Sequence, residues 1–193
     1  MSTIEDKKIF EEIIQKFNEC QEKDFKHTRG YKKVYKMAND LLNSSSNLSD
    51  KEKIELHIIK GNINDDIREN LDAAIREYKK ALKIDSENWS IWYNLGVSYG
   101  RRGEPELAIS IYKKVIKLNP NFAPAFYNRG CQQMVKGNFN LACDDWHKSQ
   151  KIGGHDDTTE LLIEKYCPQE REYTEYKKPE ITPEAEIDPD AWL

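Results

Sequence analysis

Apolar residues recur along the chain with the three- and four-residue spacing of amphipathic helices. Residues Ile4 to Cys20 and the stretch that follows Gly30 each carry one such stripe. The first stripe comprises Ile9, Phe10, Ile13, Ile14 and Phe17, and the second comprises Tyr31, Val34, Tyr35, Ala38, Leu41 and Leu42. Because each stripe occupies one face of a helix, the pattern predicts two helices that bury these faces against neighbouring helices.

A second pair of helices is predicted after the polar run at residues 43–47. Ser49 and Glu52 have the spacing of a capping box, in which each side chain binds the backbone N–H of the other residue. The second helix of this pair is predicted over Leu71 to Ile84. The span Gly61–Ala74 is one residue longer than the corresponding span of the following segment. We therefore expect either an extra residue in the turn or longer helices.

Residues 89–122 carry the most regular pattern in the chain. Trp92, Leu95 and Tyr99 share one helix face, and the adjacent Gly96 allows a second helix to approach closely. A helix-ending glycine, a first-turn proline, a second apolar face and a helix-stopping Asn-Pro pair follow: Gly103, Pro105, Ala108, Ile109, Ile111, Tyr112, Val115, Ile116, Asn119 and Pro120. The segment therefore predicts two helices joined by a short turn.

This pattern recurs at an offset of 34 residues. Adding 34 to Trp92, Tyr93, Asn94, Gly96, Gly103, Ala108 and Tyr112 gives Phe126, Tyr127, Asn128, Gly130, Gly137, Ala142 and Trp146. The order Trp-x2-Leu-Gly-x2-Tyr, Ala-x3-Tyr and Pro resembles the tetratricopeptide repeat (TPR) family, a helix–turn–helix repeat of the same period. The later copy departs from the family pattern at Arg129, which replaces Leu, and at Gln133, which replaces Tyr.

The resemblance implies an all-α fold: a right-handed TPR-type superhelix of helical hairpins, with a C-terminal capping helix and an extended acidic tail. Residues 1–48 form either a degenerate repeat or a helical cap. Three repeats are expected over about 50–88, 89–122 and 123–152, within a body that spans 49–167. The capping helix is expected over 156–167, with Asp156 or Asp157 as its N-cap, and the Pro-containing tail over 168–193.

In the TPR family the first helix of each repeat lines a concave groove that binds a peptide or helix of another protein. The matching positions here are Tyr93, Asn94, Val97 and Arg101 in one repeat, and Tyr127, Asn128, Cys131 and Met134 in the next. An Asn amide both donates and accepts hydrogen bonds, and Tyr combines flat apolar area with a polar end. These residues are the predicted peptide-binding groove, although use of another face stays open.

One specialised groove is disfavoured by the sequence. Some TPR co-chaperones bind the C-terminal carboxylate of Hsp70 or Hsp90 with two Lys, an Arg and two Asn. Here only Asn94 fits that clamp, because Pro124 and Asn128 occupy basic positions and Ile58 or Ile59 replaces the first Lys. Without cations the charge-assisted hydrogen bonds to a carboxylate are lost.

The net charge of −4 arises in the tail, where acidic residues outnumber basic ones, and it argues against nucleic acid as a partner. The tail ends in a candidate motif of Asp188, Asp190, Trp192 and Leu193. It is either a solvated end or a linear motif that docks on a partner or folds back beside Arg101. The Lys-rich second helices form a stripe that would be a solvated face or meet an acidic partner.

The sequence gives little support for chemistry. Cys20, Cys131, Cys143 and Cys167 are widely spaced, and a chain without a signal peptide predicts reduced thiols in a cytoplasmic protein. Phosphate-loop, zinc-protease and serine-hydrolase motifs are absent, so no enzyme activity and no cofactor are expected. Cys143 and His147 stand four residues apart on a helix, but nothing completes a metal site with them. No membrane insertion is expected, because no long apolar run occurs.

These patterns favour a non-enzymatic adaptor or scaffold that holds an extended peptide or helix of another protein. One alternative is a fixed structural subunit of a larger complex, docked by its edges and acidic tail. Another is a chaperone-like TPR protein without the carboxylate clamp. A stable monomer would favour the adaptor, whereas obligate co-purification would favour the subunit.

Overall fold

A computed structural model describes residues 3–22, 28–67, 70–153 and 157–167. Regular structure in these residues is entirely helical, which confirms the predicted all-α fold. The chain divides into two compact units, one up to Ile91 and the other from Trp92 onward, and each is described by itself.

The first unit is built from two helical hairpins. Its elements are α1 Ile4–Glu22, α2 Thr28–Ser44, α3 Asp50–Asn62, a π-helical turn Ile63–Ile67 and α4 Leu71–Ile84. Helix α1 packs on α2, α2 on α3, and α3 on α4. The core consists of Ile13, Phe17, Tyr31, Val34, Ala38, Leu41, Leu48, Leu56, Ile59 and Ile63. Both apolar stripes therefore pack into one core, as their spacing predicts.

The extra residue before α4 is absorbed by the π-helical turn that extends α3. A π turn closes its hydrogen bonds over five residues, so it admits one more residue without interrupting the helix. The backbone N–H of Asn70 then donates to the Asn64 carbonyl at 2.8 Å, and the Asn70 side chain caps α4. At the other end of α3, Ser49 and Glu52 form both hydrogen bonds of the predicted capping box.

The second unit continues the hairpin pattern. Its helices are α5 Trp89–Arg101, which belongs to this unit from Trp92 onward, α6 Pro105–Leu118, α7 Ala123–Val135, α8 Phe139–Ile152 and α9 Asp157–Tyr166. Helix α6 packs on α7, α7 on α8, and α8 on α9. Gly96 of α5 fits against α6, since a Cβ there would lie 2.8 Å from a ring carbon of Tyr112. The close approach predicted from Gly96 is thus confirmed.

The turns inside the two hairpins of the second unit are copies of each other. Gly103 and Gly137 have φ angles of 82° and 80°, which glycine adopts without steric cost. The residue after each glycine donates its N–H back to the preceding helix, from Glu104 to the Tyr99 carbonyl and from Asn138 to the Gln133 carbonyl. These bonds satisfy carbonyls at the helix ends, so Gly103 has the predicted C-cap role.

A disulfide bond corrects the expectation of four reduced thiols. Cys143 of α8 is bonded to Cys167, the residue directly after α9, with 5.6 Å between their Cα atoms. Within the described residues, Cys20 and Cys131 take no part in a disulfide bond. The prediction was wrong because it considered spacing in sequence alone, whereas α9 turns back onto α8 and brings two distant cysteines together.

No helix within the described ranges is both long and apolar enough to span a membrane. The acidic tail and its motif of Asp188, Asp190, Trp192 and Leu193 lie outside the described residues.

Candidate functional site

The strongest candidate site lies where α5 and α7 of the second unit meet. The Asn128 side-chain amide donates a hydrogen bond of 2.9 Å to the Tyr93 hydroxyl. Farther along the same two helices, Gln132 lies against Gly100, where a Cβ would be only 2.8 Å from the Gln132 amide nitrogen. These contacts join the two helices and place Tyr93, a predicted groove residue of α5, next to Asn128, a predicted groove residue of α7.

Tyr93 is held from several directions. Its ring stands edge-on to Phe122 with 4.9 Å between centroids, and it also lies 6.1 Å from the Tyr112 ring. Burial raises the pKa of the Tyr93 hydroxyl above its usual range, although the hydrogen bond from Asn128 opposes the rise. Tyr93 is therefore a fixed, neutral part of the surface.

The other predicted residues of α5 differ in exposure. Asn94 and Val97 are half-buried and Arg101 is exposed. The backbone carbonyl of Asn94 accepts a hydrogen bond from the Ser98 hydroxyl, whereas its side-chain amide makes no hydrogen bond within the described part of the chain. The surface defined by Tyr93, Asn94, Val97, Arg101 and Asn128 is called the α5–α7 surface below.

The remaining predicted residues of α7 are partly exposed and partly packed against α8. Tyr127, Cys131 and Met134 are half-buried and pack against the buried cluster formed by Ala142, Cys143 and Trp146 of α8. Leu162, Ile163 and Cys167 pack against the same cluster from the α9 side. Burial raises the pKa of the Cys131 thiol, so this cysteine is neutral at physiological pH.

Two ion pairs occupy positions that the repeat pattern fills with apolar residues. In the second unit, Nε and Nη2 of Arg129 donate to the Asp145 carboxylate at 2.8 and 2.6 Å. Arg129 and Asp145 stand 34 residues after Leu95 and Ile111, so the pair replaces two aliphatic side chains. Burial raises the pKa of the Asp145 carboxyl even though Arg129 opposes the rise.

The equivalent positions of the first unit carry another ion pair. Lys60 of α3 lies 3.4 Å from Glu77 of α4, and both side chains are more than 90% buried. Lys60 also donates to the Asn39 side-chain oxygen at 3.0 Å and lies over the Tyr35 ring. His57 contacts the same Glu77 carboxylate at 2.7 Å.

These contacts fix the charge of Glu77. Burial would raise the pKa of its carboxyl, but hydrogen bonds from His57 and Lys80 and the charge of Lys60 outweigh burial and lower the pKa to about 2. The cluster is therefore a neutralised internal network. The sequence pattern identified Arg129 as a departure from the repeat, but it did not identify the acidic members of the two ion pairs, Asp145 and Glu77. The available signal was an acidic residue, Glu77 on α4 and Asp145 on α8, at the repeat position that Ile111 occupies on α6.

No cluster of metal-ligating side chains is present within residues 3–22, 28–67, 70–153 and 157–167. The sequence pair of Cys143 and His147 does not provide two ligands, because the Cys143 sulfur is bonded to Cys167 and His147 is exposed.

Comparisons with known proteins agree with the geometry. A family model described as "TPR repeat" matches residues 67–103, and one described as "Tetratricopeptide repeat" matches residues 89–122. No curated protein matches the chain. The second TPR domain of human RPAP3, solved with the HSP70 peptide SGPTIEEVD, is 18% identical at a TM-score of 0.58, covering 63% of this chain and 100% of that chain.

Two further solved structures have the same fold. The first TPR of Spaghetti (RPAP3), bound to the HSP90 peptide SRMEEVD, is 21% identical at a TM-score of 0.57, covering 61% of this chain and 95% of that one. MamA RS-1 is 12% identical at a TM-score of 0.63, covering 80% and 83%. At these identities the likeness establishes the helical-repeat fold.

Proposed function

Because the chain is a tetratricopeptide-repeat protein, we propose that it is a non-enzymatic adaptor that binds a segment of another protein on the α5–α7 surface. The observation that carries the proposal is the hydrogen bond between Asn128 and Tyr93. It holds two side chains of the surface in place before any ligand arrives, which lowers the entropic cost of binding.

The chemistry of the surface favours an extended segment. The Asn94 amide can donate to and accept from the backbone of such a segment, and the Tyr93 ring offers flat apolar area next to it. Arg101 is exposed at the end of α5, where it favours an acidic side chain of the ligand. Tyr127, Cys131 and Met134 add half-buried apolar area on α7.

A C-terminal carboxylate is not the proposed ligand. The structures with peptides SGPTIEEVD and SRMEEVD support peptide binding by this fold in general. In this chain Ile59 is buried, Pro124 cannot supply a cation, and the Asn128 amide is already bonded to Tyr93. We therefore include a chaperone-like role only in the form that lacks the carboxylate clamp.

The test first selects a peptide ligand and then locates its binding site with substitutions. Random peptides displayed on phage are selected against the full chain, and the affinity of the best peptide is measured by fluorescence anisotropy. We expect Asn94→Ala and Arg101→Ala each to weaken binding by about 10-fold, which corresponds to about 1.4 kcal/mol. Lys113→Ala, at an exposed position of α6, is the matched control and should bind like the parent chain.

Equal affinity of the parent chain and both α5 variants would overturn the assignment of the surface. The peptide SRMEEVD is the negative control and should not bind. Tight binding of SRMEEVD that disappears when its C-terminus is amidated would show that the chain does bind a C-terminal carboxylate. Circular dichroism of each variant checks that the helices are intact.

A second candidate function is a fixed subunit that docks by an edge. It is favoured by Val135 and Phe139, which are 71% and 55% exposed on either side of the turn between α7 and α8. Exposed apolar residues grouped in this way often mark a protein interface. Size-exclusion chromatography with light scattering separates the candidates, because an adaptor should purify as a monomer and a fixed subunit should purify with its complex.

A further inference from the structure

The disulfide bond between Cys143 and Cys167 encloses α9 and fixes its end to α8. Cys143 is fully buried, and Cys167 follows the last residue of α9. Reduction would leave α9 held by noncovalent contacts alone. These contacts cover one side of α9, since Thr159 is buried whereas Leu161 is 62% and Tyr166 is 40% exposed. A helix of 10 residues is also too short to be stable without tertiary contacts.

The face that α9 covers is apolar and shaped for a helix. Cys143 and Trp146 of α8 form its buried centre, and the Tyr166 ring lies 6.4 Å from the Trp146 ring. Helix α9 meets this face with Thr159, Leu162, Ile163 and Tyr166, which are spaced i, i+3, i+4 and i+7. The contacts of α9 therefore define which helix fits: a small residue, two aliphatic residues and an aromatic residue on one stripe.

We propose that this face of α8 is a binding site for an amphipathic helix of a partner protein, and that the Cys143–Cys167 disulfide keeps α9 over it until a dithiol reductant opens the bond. The partner helix would carry the same stripe of small, aliphatic, aliphatic and aromatic residues. This inference is separate from the proposed ligand of the α5–α7 surface, and its test does not use that ligand.

The redox step balances as ordinary thiol–disulfide exchange. A thiolate of the dithiol attacks the sulfur of Cys167, which is the less buried of the two, and the Cys143 sulfur leaves and takes up a proton. The second thiol of the reductant then displaces Cys167 as a thiol. The protein gains two electrons and two protons, and the dithiol becomes a cyclic disulfide.

Hydrogen exchange measured by mass spectrometry tests the release of α9 in the full chain. Adding dithiothreitol should raise amide exchange in α9 by about 10-fold or more, because a closed loop loses its covalent constraint. Exchange in α6 should stay unchanged. Unchanged exchange in α9 would refute the proposal that the disulfide keeps α9 in place. An equal rise in α6 would show that the disulfide stabilises the whole unit instead.

Disulfide trapping tests the exposed face. The Cys167→Ser variant leaves Cys143 as a thiol, and the probe is a synthetic peptide of residues 157–167 that retains its own cysteine. In a glutathione buffer we expect this peptide to form a mixed disulfide at Cys143 about 10-fold more than a scrambled peptide of the same composition. Peptide mapping separates this adduct from adducts at Cys20 and Cys131. Equal trapping of both peptides, or none, would overturn the site.

Discussion

We expect the contributions of Arg129 and Asp145 to the free energy of unfolding to be strongly coupled, so that replacing Arg129 alone destabilises the protein more than replacing both residues. The Asp145 side chain is 8% exposed and the Arg129 side chain 21%, so neither is well solvated. Replacing Arg129 by Leu leaves a buried carboxylate without its two hydrogen bonds. Breaking a buried pair costs about 3–5 kcal/mol, and the partial exposure of Arg129 lowers our expectation to about 2–3 kcal/mol.

Replacing both residues should restore most of the loss. The double variant Arg129→Leu/Asp145→Ile copies the residues that stand 34 positions earlier, Leu95 and Ile111, which pack in the same chain without a charge. Burial raises the pKa of Asp145, so the pair carries a net desolvation cost that two aliphatic side chains avoid. We expect the double variant to lie within about 1 kcal/mol of the parent chain.

Urea unfolding of the parent chain, the two single variants and the double variant measures the coupling. The free energies should be non-additive by about 2 kcal/mol or more. The bridge between Lys136 and Glu106 is the control, because Glu106 is exposed and removal of Lys136 should therefore cost much less than Arg129→Leu. The reasoning fails if the double variant loses the sum of the single losses, or if Arg129→Leu is harmless.

Three further predictions concern acid stability, helix packing and the α5–α7 surface. The pKa of Glu77 is lowered from 4.5 to about 2, so the stabilisation from its charge is fully present above pH 4.5 and is lost as the pH falls toward 2. The unfolding temperature should therefore fall less between pH 6 and pH 3 in Glu77→Gln than in the parent chain. Gly96→Ala should cost about 2 kcal/mol or more in urea unfolding because of the Tyr112 ring, whereas Gly103→Ala, with open space around it, should cost only about 1 kcal/mol. Tyr93→Phe removes the acceptor of one amide hydrogen bond and should lower the unfolding free energy by about 1 kcal/mol, with no change expected if that bond is absent in solution.

The helices and their turns were predictable because their signals are local. The Ser49–Glu52 capping box, the glycine turn at Gly103 and the close approach at Gly96 each depend on residues a few positions apart. Such features are set by backbone conformation and side-chain volume, which a short stretch of sequence specifies. The repeat offset then extends the same expectations from one hairpin to the next.

The contacts between helices were not predictable in the same way. Nothing near Cys143 indicates that Cys167 will reach it, because the approach depends on how α9 folds back onto α8. Tyr93 and Tyr127 occupy the same repeat position, and both pack against the second helix of their own hairpin. The hydrogen bond that Tyr93 accepts from Asn128, in contrast, depends on how one hairpin packs on the next, which a short stretch of sequence does not specify.

The placement of the two buried ion pairs has a consequence for rearranging the protein. Lys60 and Glu77 belong to one hairpin, and Arg129 and Asp145 belong to another, so each hairpin contains both members of its pair. A hairpin that is duplicated, deleted or transplanted as a whole takes its counter-charge with it. Exchange of a single helix would leave a buried charge without its ion-pair partner. The hairpin, and not the helix, is therefore the unit in which this chain can be recombined without an electrostatic penalty.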